Sequence, residues 1–384
     1  MAPGTSSISA SPMVSSQARG SIVISVDAMG GDRGSATVVA GLVLAMREHS
    51  DLHVILHGDE AQIAPVLARE PALKGRVTLR HAERIVTMED KPSQVMRHGQ
   101  GTSMWQAIDS VKDGAATVAV SCGNTGALMA VSMLRLRKLP GVNRPAIACF
   151  WPSRSEAGWS VMLDVGADIK ADAEDLVQYA VMGAAYASNA LALERPKVGL
   201  LNVGTEEHKG RAELKEAHEL LTALVAGGQA GFDYAGFVEG SDLPSARVNV
   251  IVTDGFTGNI ALKTGEGTAK LVGDFLREAF TAGILSRFAA LLALNSLKRL
   301  QKRIDPRRVN GGVFLGLNGA VVKSHGSADA TGISAAVGLA YRLARSAFTQ
   351  RLAARVASFA PAGQDAAAMG PADKQAGAGS DPAR

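Results

Sequence analysis

The sequence predicts an α/β protein with a three-layer, largely parallel sheet. Short apolar runs alternate with helix-length segments rich in Ala and Leu, which is the pattern of repeated βαβ units. Polar turns that contain glycine follow most of these runs. Ligands of such sheets bind beyond the carboxyl ends of the strands, so function is expected at these turns.

Strands are predicted from short runs rich in Val, Ile and Leu, and helices from apolar residues spaced three or four apart. The predicted strands are Ile22–Val26, His53–His57, Val77–Arg80, Thr117–Val120, Ala146–Phe150, Val161–Leu163, Val198–Asn202, Phe232–Phe237 and Asn249–Thr253. The predicted helices between them include Ala36–His49, Thr102–Lys112, Glu174–Ala190 and Lys209–Ala226.

The composition is that of a globular protein without a membrane span. Of 384 residues, 47% are apolar and 20% charged, and no apolar stretch is long enough to cross a bilayer. The formal charge of +4 is small for this length and no nucleic-acid-binding signature appears, so no nucleic acid partner is expected. No His or Cys spacing indicates zinc, and no metal site is predicted.

We expect one α/β domain over residues 21–355. Disordered segments rich in small residues and Pro are expected at 1–20 and 361–384, and the first of these lacks the apolar block of a secretory signal. The two cysteines, Cys122 and Cys149, lie in or beside apolar runs. This pattern indicates reduced thiols in a cytoplasmic protein.

The turn Gly123-Asn124-Thr125-Gly126 is the most informative feature of the sequence. It follows the apolar run 116–120 and precedes a helix-like segment. A helix that begins after such a turn presents free N–H groups and a positive dipole end, which suits phosphate. In the alternative interpretation, Asn124 and Thr125 cap the helix and the turn is a plain connector.

Five further turns place polar residues and glycine after a predicted strand. The carboxyl ends of parallel strands lie along one edge of a sheet, so we expect all six turns to converge on one site. The five are Asp27–Asp32, Asp164–Asp168, Gly204–Glu207, Glu239–Asp242 and Asp254–Asn259.

Charged and amide side chains near these turns are candidates for handling an anion. Lys263 lies four residues after Asn259, so both face one site if they share a helix. The alternative for each lysine is a solvated surface charge, and for each aspartate a helix cap or a cation ligand. The catalytic candidates are Asp254, Asn259, Lys263, Lys323 and His325, and Asp27, Gly30, Gly31, Asp32 and Lys209 are expected in support.

The segment Gly283–Arg308 is predicted to form a protruding, basic amphipathic helical insertion. Its apolar residues recur at helical spacing, and Lys and Arg dominate its charges. Such a helix binds an anionic membrane surface, or it packs on the protein's own core or on a dimer partner. The candidate membrane residues are Leu285, Phe288, Leu291, Leu292, Lys298, Arg299, Lys302 and Arg303.

Six motifs, in order between about Ile22 and Arg345, resemble those of one family. They are S-V-D-A-M-G-G at Ser25–Gly31, S-C-G-N-T-G-A-L-M-A at Ser121–Ala130, L-D-V-G-A at Leu163–Ala167, F-V-E-G-S-D at Phe237–Asp242, D-G-F-T-G-N-I-A-L-K-T-G-E-G at Asp254–Gly267 and G-L-N-G-A-V-V-K-S-H-G at Gly316–Gly326. On these motifs the chain resembles the bacterial phosphate acyltransferases of phospholipid synthesis, the PlsX family.

The resemblance implies transfer of a long-chain acyl group from acyl carrier protein to inorganic phosphate. It also implies a fold similar to the isocitrate and isopropylmalate dehydrogenases, a homodimer, and a cytoplasmic protein peripherally associated with the membrane. The acyl phosphate would pass to a membrane glycerol-3-phosphate acyltransferase. The resemblance therefore favours the membrane interpretation of Gly283–Arg308.

Four residues depart from the usual family pattern. Cys122 replaces Ala, Asp168 and Arg211 replace Asn, and Thr257 replaces an apolar residue. A thiol at a helix amino terminus has a lowered pKa, which makes Cys122 a candidate acyl acceptor. The usual Ala argues against that role, and the change at Asp168 leaves its side chain without an expected function.

Acyl transfer to phosphate demands little of a protein. Phosphate is largely dianionic near neutral pH and a thiolate leaves readily, so the site must hold phosphate, position the thioester and stabilise the oxyanion. We expect direct attack by phosphate without a protein nucleophile, metal or cofactor. The alternatives are a short-chain acyl-CoA acyltransferase, a non-catalytic membrane scaffold, and a dehydrogenase, although residues 25–32 lack the Gly-x-Gly-x-x-Gly pattern.

Overall fold

A computed structural model describes residues 21–228, 230–297, 299 and 311–359. Within them, eleven strands form one sheet in the order β3-β2-β1-β4-β11-β10-β5-β6-β9-β7-β8. The strands are β1 (Ile22–Asp27), β2 (Leu52–Gly58), β3 (Val77–His81), β4 (Val118–Ser121), β5 (Ala146–Pro152), β6 (Trp159–Leu163), β7 (Lys197–Leu201), β8 (Asp233–Val238), β9 (Val250–Val252), β10 (Gly312–Leu315) and β11 (Ala320–Lys323).

Helices cover both faces of this sheet. They are α1 (Gly34–Glu48), α2 (Glu60–Leu67), α3 (Pro92–His98), α4 (Ser103–Lys112), α5 (Thr125–Leu136), α6 (Ala173–Leu191), α7 (Ala212–Ala226), α8 (Gly255–Thr281), α9 (Ile284–Leu292), α10 (Ala330–Arg345) and α11 (Phe348–Ala357). Helices α1 and α10 share a core with Val118 and Val120, whereas α4 and α5 pack with Ala119 on the other face. The predicted three-layer, largely parallel α/β architecture is confirmed.

The sheet reverses direction at its centre. Strand β10 is antiparallel to both β11 and β5, and β5 is antiparallel to β6. Strands β1 to β5 and β11 therefore run one way, and β6 to β10 run the other. Because their carboxyl ends lie at opposite edges, the six polar turns form two groups. The expectation that all six meet at one edge is wrong.

Helix α8 begins at the edge where β9 ends. The carboxylate of Asp254 caps it by accepting a hydrogen bond from the Thr257 N–H at 2.8 Å. The first turn of the helix contacts the turn after β6 so closely that a Cβ atom at Gly258 would overlap the carbonyl oxygen of Asp164. A Cβ at Gly255 would overlap the same turn. Two glycines thus allow α8 to lie directly on the backbone of this turn.

This contact determines where the rest of α8 runs. Glu266 lies eleven residues after Gly255, roughly 16 Å along a helix axis. Over that distance α8 crosses the sheet face and its side chains reach the residues that follow β11. One helix therefore connects the two groups of turns that the sheet separates.

All nine predicted strands are confirmed, with ends that differ by no more than two residues. Strands β10 and β11 were not predicted, because each is only four residues long and glycines flank both. The helix predicted from Lys209 begins at Ala212, so Lys209 lies in a loop. The segments 1–20 and 361–384 fall outside the described residues.

The second half of α8 and the whole of α9 project from the sheet. No residue of α9 is buried, and Leu285 and Leu292 expose 86% and 75% of their surface. The alternative that residues 284–292 pack on the protein's own core is therefore excluded. Arg299 is exposed, and Lys298, Lys302 and Arg303 lie outside the described residues. Among the described residues, no helix is both long enough and apolar enough to cross a bilayer.

Candidate functional site

A cavity of about 360 Å³ lies between α8 and the central strands. The wall formed by β11, the start of α5 and part of α8 is polar and contains Thr125, Asn259, Lys263, Glu266, Lys323, Ser324 and His325. The wall formed by β5, the loop after β8 and the rest of α8 is largely apolar and contains Ile147, Phe150, Trp151, Pro152, Pro244, Leu262 and Ala269. Gly311 and Gly312 also line the cavity, and they add no side chains to it.

Glu266 connects α8 to the segment after β11. Its two carboxylate oxygens contact Lys263 Nζ at 2.8 Å and His325 Nε2 at 3.1 Å. Burial alone would raise the pKa of Glu266, but the hydrogen bonds with His325 and Lys263 outweigh it and lower the pKa to about 2. Glu266 is therefore ionised at neutral pH and holds the side chains of Lys263 and His325 beside the cavity.

Lys323 is the more deeply placed of the two cavity lysines. Its ammonium group donates to the carbonyl oxygens of Cys122 at 3.2 Å and Ser324 at 2.5 Å. Burial, and to a smaller extent the charge of the nearby Lys263, lower the pKa of Lys323 to about 8. Lys323 is thus cationic at neutral pH but loses its charge only slightly above it.

The start of α5 reaches the same cavity through Thr125. The side chain of Asn124 does not, because it caps the helix on Ala127 N–H at 3.0 Å and donates to the carbonyls of Met88 and Asp90. The first helical N–H groups, at Thr125 and Gly126, have no carbonyl of a preceding turn to bond. The side chain of Asn124 therefore caps the helix, as the alternative interpretation expected.

Two glycine-containing turns pack against each other at this helix start. A Cβ atom at Gly30 would lie 2.6 Å from both Gly123 N and Asp27 Oδ2, and one at Gly31 would lie 3.3 Å from the Cys122 side chain. Asp27 is buried and accepts a hydrogen bond from Ser121 Oγ at 2.7 Å. These contacts fix the turn after β1 against the turn after β4. They support the site without lining it.

Cys122 lies in this packed region and not on the cavity wall. Burial raises the pKa of its thiol to about 11, which overturns the lowered pKa expected at a helix start. The desolvation of a thiolate at this position outweighs the helix dipole. The thiol therefore stays protonated near neutral pH, as expected for a residue with no nucleophilic role.

Several predicted site residues lie away from the cavity. Lys209 is in the loop after β7, at the opposite edge of the sheet, and pairs with Glu206 at 2.8 Å. Asp254 is buried beneath α8, where it caps the helix and pairs with Arg211. Asp32 donates its N–H to the Gly326 carbonyl at 2.9 Å, behind the polar wall. The position of Lys209 follows from the reversal of strand direction, because β7 ends at the opposite edge of the sheet from β4 and β11.

Glu266 and Trp151 are among the cavity residues that were not identified from the sequence. Glu266 lies three residues after Lys263 on a predicted helix, which is a spacing for ion pairs and could have indicated it. Trp151 extends a predicted strand by one residue beyond its expected end, and nothing in its local sequence links it to Gly265 on α8.

The comparisons with known proteins identify the family of the chain. A family model described as "Fatty acid synthesis protein" matches residues 22–351. A phosphate acyltransferase of Cereibacter sphaeroides is 72% identical over 90% of this chain and 94% of its own length. The chain belongs to the phosphate acyltransferase family. Another family member, from Paracoccus denitrificans, is 70% identical over 89% of this chain and 92% of its own.

The family name identifies the reaction class of the chain as acyl transfer. Among solved structures, a phosphotransacetylase from Streptococcus pyogenes aligns with a TM-score of 0.55, at 17% identity over 84% of this chain and 94% of that one. At this identity the likeness concerns the fold alone.

Proposed function

We propose that the cavity transfers a long-chain acyl group from acyl carrier protein to inorganic phosphate. The observation that carries this proposal is the pairing of a cationic wall with an apolar wall in one space. A phosphate needs the first wall and an alkyl chain needs the second. The position of this chain within the phosphate acyltransferase family supports the same reaction.

In the proposed step, an oxygen of hydrogen phosphate attacks the thioester carbonyl carbon. The carbon–oxygen bond forms, the carbon–sulfur bond breaks, and the proton of the hydrogen phosphate ends on the released thiol. The products are acyl phosphate and the free carrier protein. No protein nucleophile takes part, which agrees with the buried, protonated Cys122.

The proposed roles follow from the polar wall. Lys263 and Lys323 neutralise phosphate, and the N–H groups of Thr125 and Gly126 bind it at the positive end of α5. Asn259 or His325 donates a hydrogen bond to the oxyanion, and His325 transfers the phosphate proton to sulfur. Asn259 is held for this by donating to the Val165 carbonyl at 3.0 Å, and Glu266 positions the other groups.

We also propose that the chain forms a membrane-associated homodimer in the cytoplasm, and the exposed residues of the protruding helices support the membrane contact and the dimer. The exposed apolar residues of α9 suit an anionic membrane surface together with its neighbouring basic residues, and those of α8, such as Leu271 and Phe275, suit a second copy of the chain. The acyl phosphate would then be released near its consumer, a membrane glycerol-3-phosphate acyltransferase.

The acidic carrier protein needs a basic docking surface. The cluster Arg135, Arg137 and Lys138 ends α5, about 15 Å along the helix from Thr125. Arg135 is moreover engaged with Asp109 at 2.5 Å. The basic residues of Gly283–Arg308 are the second candidate for this dock.

The proposed function is tested by comparing two acyl donors. Phosphate-dependent release of carrier thiol from palmitoyl carrier protein should exceed release of CoA from acetyl-CoA, because only the palmitoyl chain is long enough to pack along the apolar wall. Thiol release is measured with and without phosphate. Reaction of acetyl-CoA alone would support the short-chain alternative, and no phosphate-dependent release from either would support a scaffold.

The titration of Lys323 predicts the alkaline limb of the pH profile. Phosphate binding needs the ammonium form, so kcat/KM for phosphate should fall above pH about 8, approaching tenfold per pH unit. In Lys323→Arg the charge persists to much higher pH, and this fall should disappear even if the rate is lower.

The matched control for this prediction is Lys270→Arg, an exposed lysine of α8 away from the cavity. It should keep the wild-type profile. An unchanged alkaline limb in Lys323→Arg would show that another group causes the fall and would remove Lys323 from the phosphate site.

The exposed face of α9 predicts a separable membrane contact. Leu292→Glu places a charge on a side chain that is 75% exposed, so the fold should tolerate it while the apolar contact with lipid is lost. Sedimentation with anionic liposomes should show loss of binding, and turnover of a soluble acyl donor should be unchanged.

The control is to compare the sedimentation coefficient of the variant with that of the wild type, which reports the oligomeric state. Retained liposome binding would contradict a membrane role for this face. Loss of the wild-type oligomer would instead assign Leu292 to the contact between two copies.

A further inference from the structure

The indole of Trp151 lies directly on the backbone of α8. A Cβ atom at Gly265 would overlap the tip of this ring and would lie 3.1 Å and 3.2 Å from two further ring carbons. The absence of a side chain at Gly265 is therefore what allows the ring to reach the helix. Trp151 is the next-to-last residue of β5, and its ring spans the gap between β5 and α8.

This bridge forms part of the apolar wall of the cavity. Trp151 and Gly265 both line the space, with Pro152, Pro244 and Ala269 beside them. The ring is only partly buried, since one side contacts the helix and another borders the cavity. The space open to an apolar group is thus limited by how closely Trp151 approaches α8.

We propose that the contact between Trp151 and Gly265 sets the length of the acyl chain that the enzyme prefers. This inference rests on the proposed function and makes Trp151 a specificity-determining residue. Because the helix backbone behind the ring is rigid, any atom added at Gly265 must drive the indole into the cavity. Removal of the ring has the opposite effect and lengthens the apolar space.

Two substitutions should therefore shift chain-length preference in opposite directions. Gly265→Ala should favour shorter acyl chains than the wild type, and Trp151→Ala should favour longer ones. Each methylene that gains or loses a buried position changes kcat/KM by about fourfold. Trp151→Phe removes part of the ring and should give a smaller shift in the same direction as Trp151→Ala.

The experiment measures phosphate-dependent thiol release from octanoyl, decanoyl, lauroyl, myristoyl, palmitoyl and stearoyl carrier protein. The full chain and its three variants are compared by the ratio of kcat/KM values within each protein, which is independent of a general loss of active enzyme. Gly267→Ala is the control, because it lies on the same helix with no atom within 4 Å of its added carbon. It should keep the wild-type ranking.

Opposite shifts for Gly265→Ala and Trp151→Ala support the inference. If the wild type is active and both Trp151 variants keep its ranking of acyl chain lengths, the inference is overturned and the proposed function stands. Shifts in the same direction also overturn it, because they indicate a general loosening of α8. If the wild type releases no thiol from any of the six donors, the proposed function fails and the inference fails with it.

Discussion

The close packing of α8 on the turn after β6 is the contact on which the site depends. Gly255 and Gly258 bring the helix onto the backbone around Asp164, where any larger residue would overlap it. The sheet reverses direction between β5 and β6, so its polar turns lie at two edges and cannot form one site by themselves. Helix α8 overcomes this separation because its starting position and direction are fixed by that packing. Glu266 then contacts His325 in the segment after β11 and holds Lys263 beside it.

The electrostatics of the cavity follow from the same helix. The carboxylate of Glu266 is shared by Lys263 from its own helix and His325 from the opposite wall, while Lys323 sits behind them in a more buried position. Two lysines against one carboxylate leave a positive surplus that suits an anion. The same helix carries Gly265, which contacts Trp151 of the apolar wall, and its exposed apolar residues continue toward α9. Helix α8 thus connects the cavity to the proposed membrane surface.

Much of the fold could be predicted from the sequence because local patterns determine it. The alternation of strands and helices gave nine strands, and the strong apolar periodicity of 283–292 identified the projecting helix. The reversal at β5–β6 was not predictable, since strand direction depends on pairing between distant segments and has no local signature. Lys209 was placed at the site for this reason. The predicted residues Asn259, Lys263, Lys323 and His325 line one cavity, whereas the places of Glu266 and Trp151 in that lining depend on the path of α8 across the sheet.

A crystal structure of the full chain with bound inorganic phosphate tests the central claim most directly. The account predicts phosphate in the cavity under α8, with oxygens within hydrogen-bond distance of Lys263 Nζ, Lys323 Nζ and the N–H groups of Thr125 and Gly126. A Lys323→Met variant should lose this density under the same conditions. Phosphate bound instead in the loop of Lys209, or in the cavity without contact to either Lys263 or Lys323, would contradict the account.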